Sequence, residues 1–146
     1  MKLAYLLAAL LSSGAAGAQH LPARQVPAPA ATAFARTFPA ATNVRWQQEN
    51  ATYTASYELP QAPGTAVFDA TGALLETRTI ISDHRLPALA RTYMAEQFPH
   101  REVDQILRLV DAAGTVTYAA QVCRGKAHDC QTTYFDQDGR PLRKEP

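Results

Sequence analysis

The sequence predicts an α+β fold made of two tandem repeats, each a helix followed by an antiparallel four-stranded meander, with the helices packed on one face of the sheet. Three observations predict it. Val26-Pro27 opens a run ending at Phe38-Pro39, and Leu86-Pro87 opens one ending at Phe98-Pro99, an offset of sixty residues at both ends. Inside those runs apolar residues recur at helical spacing. Beyond them, apolar and polar residues alternate at period two, as in strands with one buried face and one wet face. The landmarks that recur are apolar anchors, helix stoppers and turn formers, so the pattern speaks for architecture before chemistry.

The chain opens with Lys2, an apolar run from Leu3 to Leu11, and the small residues Ala16-Gly17-Ala18. This predicts a removable secretory signal over residues 1–18. The apolar run is shorter than the roughly 20 residues that span a bilayer, so no membrane insertion is expected after cleavage. The expected location is periplasmic or secreted. Residues 19–25 show no periodicity and read as a flexible leader. A single domain, 26–143, follows, with its two repeats at 26–81 and 86–143. The 14 basic and 13 acidic side chains become 13 of each once Lys2 is lost. A balanced charge without a basic cluster argues against nucleic acid, which is held mainly through phosphate.

Helix one is expected from about Pro27 to Phe38, with Val26, Ala30, Ala33, Phe34 and Phe38 as its apolar stripe. Prolines are tolerated in a first helical turn, and Pro39 stops the helix. Helix two repeats the plan with Leu86, Leu89, Ala90, Tyr93, Met94 and Phe98, between Pro87 and Pro99. In the first repeat Val44 and Trp46 are expected inward, as are Tyr53, Ala55 and Tyr57. Thr65–Asp69 and Leu74–Ile81 supply the next strands. The second repeat places strands at Gln105–Val110, Thr117–Cys123 and Gln131–Asp136, with a short tail near Leu142. Asp69-Ala-Thr-Gly72 and Asp136-Gln-Asp-Gly139 read as hairpin turns, Asp bonding its own backbone and Gly accepting positive φ. Pro141 and the charges after it mark a blunted edge strand.

Residues capable of chemistry are few. Cys123 and Cys130 are the only cysteines and flank an expected hairpin tip. In an exported chain an even pair reads as a disulfide. Zinc held by Cys123, His128 and Cys130 is the alternative, but those three ligands lack a nearby fourth partner. His84 and His100 bracket helix two, roughly 20 Å apart, and cannot share a metal. Asp136 and Asp138 imitate the start of a calcium loop, yet the later bidentate Glu is absent, so the turn reading is preferred. No G-x-S-x-G elbow or Ser/His/Asp set stands out. The expectation is no enzyme, no cofactor and no metal. Trp46 reads as core, with an interface anchor as the alternative. The wet face should carry Arg45, Gln47, Thr54, Ser56 and Glu58, the first place to look for a bound partner, along with the tips at Gln61 and Lys126.

Val26-Pro27 to Phe38-Pro39, Ala41-Thr42-Asn43-Val44-Arg45-Trp46, and Val67 to Thr77 together resemble the PepSY-like domain of bacterial secreted proteins, a group similar in fold to β-lactamase-inhibitor protein. The resemblance spans about Val26 to Leu142. It implies an exported, non-enzymatic protein, in a wider group that restrains peptidases or, among the inhibitor relatives, binds an enzyme on the concave sheet face. The chain departs from the inhibitor pattern in lacking cysteine in its first half, and no inhibitory residue carries over. The functional expectation is a non-catalytic binding module for a protein or peptide, with a proteinaceous enzyme inhibitor as one version. A structural or stress-related envelope protein without a specific ligand is the alternative.

Overall fold

The computed structural model describes residues 19–125 and 129–143. The expected signal peptide, the tip residue Lys126 and the candidate ligand His128 lie outside the described residues. Among the described residues nine strands run in chain order: β1 (Gln19–Leu21), β2 (Thr42–Glu49), β3 (Thr52–Glu58), β4 (Pro63–Asp69), β5 (Leu74–Ile81), β6 (Glu102–Asp111), β7 (Val116–Cys123), β8 (Cys130–Phe135) and β9 (Pro141–Leu142). Helix α1 (Ala28–Thr37) joins β1 to β2 and α2 (Ala88–Gln97) joins β5 to β6, each preceded by a single 3-10 turn.

The expected fold class, two helix-plus-four-strand repeats, is corrected by this arrangement. The described residues build one sheet-dominated fold, a continuous nine-stranded antiparallel sheet in the order β1 to β9, with two ten-residue helices among them. β5 and β6 pair without a break from Glu76↔Asp111 to Ile81↔Ile106. Two separate meanders would have left both strands as open edges with unpaired amides and carbonyls. Pairing them satisfies those groups. Gln19–Leu21, read as part of a flexible leader, is instead an edge strand on β2, with Leu21 buried opposite Trp46.

Both helices form where the apolar spacing places them. The ladder of α1 starts with the Ala31 amide bonding the Pro27 carbonyl, and Phe38 closes it on Phe34 before Pro39. Ala30 and Phe34 are its buried residues. The Phe34 ring lies 5.5 Å from Trp46, 5.3 Å from Tyr57 and 6.3 Å from Phe68, edge-on in each case, an arrangement favoured by aromatic quadrupoles. α2 buries Ala90 and Met94 against Ile106, Ala120, Val122 and Phe135. The core is therefore two clusters under one sheet, the first aromatic and the second mostly aliphatic.

Trp46 is core, as expected, but Val44 is exposed. A bulge between Thr42 and Arg45, with Asn43 at φ 52°, breaks the alternation there. One inserted residue turns the following side chain to the other face, and the sequence carries no strong sign of it.

Three hairpins share one turn design. The carboxylates of Asp69, Asp111 and Asp136 each accept bonds from the amides two and four residues later. A glycine at positive φ completes each turn, Gly72, Gly114 or Gly139. The Thr71 hydroxyl and the turn amides hold Asp69 below the usual carboxylate range, and the Thr115 amide does most to lower Asp111. A lowered folded value means that stability is fully present above the ordinary aspartate pKa and is lost as pH falls through the folded value. Urea midpoints should therefore hold steady near neutrality and fall below about pH 5. D69N/D111N, which retains an acceptor but no titration, should flatten that acid limb. An unchanged acid limb would show that these turns do not contribute to it.

Candidate functional site

The two faces of the sheet differ. One is covered by α1 over β2–β4 and by α2 over β6–β8, through the two core clusters. The other carries no helix among the described residues. Directly opposed residues in an antiparallel ladder share a face, so the register assigns its composition. One row crosses the strands as Arg45, Ser56, Thr65, Arg78 and Leu109. The row beside it continues as Ile80, Leu107, Ala119, Tyr134 and Leu142. Ile80 and Leu142, at the two ends of that row, are more than 40% exposed.

Two depressions lie on this face. One, of about 600 Å³, includes Arg45, Ser56, Glu58, Thr65 and Arg78. The other, of about 440 Å³, includes Leu109, Ala119, Gln121, Thr132 and Tyr134. Arg78, Gln105 and Leu107 line both, which makes them one trough running across β2–β8. The residues expected on the wet face are Arg45, Gln47, Thr54, Ser56 and Glu58. All five lie on the open face, and Arg45, Ser56 and Glu58 line the trough. Gln47 and Thr54 face each other one row further out. Gln61 is exposed in the β3–β4 hairpin, away from the lining.

The apolar half of the trough was missed. Leu107 and Leu109 sit in a strand whose alternation is apolar on both faces, so period two could not say which side would be covered. The partners β5 and β7 settle it.

The trough's hydrogen bonds leave donors to spare. The Asn43 amide donates to Glu58 at 2.7 Å, and Arg78 Nε donates to Glu76. Among the described residues Arg45 is in no ion pair. The Ser56 and Thr65 hydroxyls lie between the two arginines along their row.

Cys123 and Cys130 face each other at the end of the β7–β8 hairpin and are joined by a disulfide. Their thiolates are thus not free to bind zinc, and among the described residues no group of three His, Cys, Asp or Glu side chains could hold a metal. Arg101 steadies this end, donating to both the carbonyl and the carboxylate of Asp129. Closing the eight-residue ring contributes roughly 2–3 kcal/mol in the chain-entropy account. C123A/C130A should lower unfolding free energy by that amount, read from urea curves, and leave the rest of the sheet folded. A loss near zero would mean that the loop is already ordered in the unfolded chain.

No protein-family model and no curated protein matches the chain. Solved structures do share its fold. A DUF2874 family protein from Bacteroides uniformis superposes with a TM-score of 0.74 at 17% identity, covering 80% of this chain and 86% of its own. A protein from Bacteroides eggerthii, provisionally described as periplasmic, gives 0.75 at 19%, covering 82% and 88%. A BLIP-like protein from Bacteroides fragilis gives 0.66 at 23%, covering 80% and 83%. At these identities the likeness is one of fold. That fold is shared with a protein described as BLIP-like, and the PepSY-like description is not among those of these neighbours. No helix among the described residues is long and apolar enough to cross a membrane.

Proposed function

We propose that this chain is an exported, periplasmic or secreted, non-catalytic binding module that holds a protein partner in the trough on the helix-free face of its sheet, in one form as a stoichiometric enzyme inhibitor. The observation that carries this is the apolar row Ile80–Leu107–Ala119–Tyr134–Leu142, its ends Ile80 and Leu142 exposed, set beside a donor row on a face that no helix among the described residues covers. Aliphatic and aromatic side chains left open next to arginine are the composition of a protein interface core. The described side-chain bonds in the trough are Asn43 to Glu58 and Arg78 to Glu76, neither of them a nucleophile with its base. A fold neighbour described as BLIP-like supports the inhibitor form, and one provisionally described as periplasmic supports export. The module needs no cofactor and engages no nucleic acid.

The test is a titration of the purified protein into a panel of β-lactamases and secreted peptidases. The reading predicts that at least one loses activity at a one-to-one ratio. L107D should weaken that inhibition by about a hundredfold, the size of a lost interface hot spot. Inhibition that L107D leaves untouched would place the contact elsewhere. A panel wholly unaffected would remove the inhibitor form.

A further inference from the structure

We infer that the trough is built for one kind of protein segment, a loop presenting an acidic side chain next to a large apolar one. This rests on the binding reading above and adds the chemistry of the partner. Arg45, Ser56, Thr65 and Arg78 occupy adjacent positions on β2, β3, β4 and β5. Strands lie about 4.8 Å apart, so the two arginine backbones stand about 14 Å apart across a floor of two hydroxyls. Arginine side chains are long enough to lean in from both ends. The carboxylates nearby are already engaged, Glu58 by Asn43 and Glu76 by Arg78. Arg78 uses only its Nε for that bond, which leaves its terminal nitrogens, and Arg45 is in no ion pair among the described residues. The row thus offers donors and few free acceptors.

A planar guanidinium matches a carboxylate in bidentate fashion, and hydroxyls can donate to the same group. The neighbouring row is apolar: Ile80 lies two residues along β5 from Arg78, and Leu107 directly opposite Ile80. An aspartate or glutamate placed between Thr65 and Arg78 then leaves a flanking large apolar side chain about 8 Å from the Ile80–Leu107 pair, in reach of both. A basic segment would meet two guanidinium groups, and a wholly apolar one would strand the hydroxyls and Arg45 without partners.

The test is selection of displayed random loops on the purified, disulfide-intact protein, followed by affinity measurement of the winners. The winners should be enriched in Asp or Glu adjacent to Leu, Ile, Phe or Trp. They should bind R45Q and R78Q about tenfold more weakly, bind L107D more weakly still, and lose affinity as salt is raised. All three positions lie on the open face, and unchanged thermal melts verify that each variant folds. Loops that lose affinity on L107D but are indifferent to R45Q, R78Q and salt would overturn the acidic-segment inference and leave the binding face standing. Loops indifferent to all three variants, or no binders at all, would overturn both.

Discussion

Phe68→Ala and Phe135→Ala should each lower the unfolding free energy by about 3–5 kcal/mol, the cost of emptying a sealed aromatic site. Both side chains are fully buried. Phe68 lies under α1, its ring 6.3 Å from Phe34 and 6.1 Å from Trp46. Phe135 lies under α2, its ring 5.6 Å from Tyr93. Typical domains hold about 5–15 kcal/mol in total, so either change removes a large share. The two clusters share no member, so the losses should add in the double variant unless that variant is unfolded outright. Because one sheet joins the clusters, each single variant should still melt in one transition. Fluorescence of Trp46, which belongs to the first cluster, should therefore report F135A at the same urea midpoint as far-ultraviolet circular dichroism. Two separated transitions would mean that the halves unfold independently.

Gly72→Ala and Gly139→Ala should be nearly as damaging, for a different reason. Gly72 has φ +86°, and a Cβ there would stand 2.6 Å from the Pro29 carbonyl oxygen. Gly139 has φ +87°, and its Cβ would meet the Ala90 amide nitrogen and Pro87 Cβ, each at 2.8 Å. Each turn is thus pressed against the first turn of a helix, where backbone atoms cannot step aside. Backbone strain of about 1–3 kcal/mol adds to the cost of displacing the helix start. Gly114 is the internal control. Its φ is +83°, but nothing lies within 4 Å of its added Cβ. Gly114→Ala should therefore cost only about 1–2 kcal/mol, the price of left-handed backbone alone. Equal losses at all three glycines would contradict the packing of turns on helices.

These turns also show what could be read in the sequence and what could not. Asp69-x-x-Gly72 and Asp136-x-x-Gly139 were legible because an aspartate that bonds its own backbone and a glycine that accepts positive φ act locally. Asp111-Ala-Ala-Gly114 has the same design, but no counterpart in the other half marks it. The helices were legible from apolar spacing closed by Pro39 and Pro99. Trp46 and Tyr57 were legible as core from period two. What stayed hidden depends on distant partners. Gln19–Leu21 becomes a strand only because β2 offers an edge. The joining of β5 to β6 depends on how α2 folds back. Val44 was assigned inward because a bulge at Asn43 leaves little trace in composition. The polar end of the trough was legible as Arg45, Ser56 and Glu58. Its apolar end, Leu107 and Tyr134, needed the register of four strands.

The central claim is that a partner docks on the helix-free face. The most direct measurement is site-specific photo-crosslinking in the envelope of the producing cells. One probe replaces Thr132, exposed and lining the trough, and the other replaces Thr92, exposed on α2. The account predicts a discrete crosslinked protein from position 132, suppressed by L107D, and none from position 92. Crosslinking from position 92 with none from position 132 would contradict it.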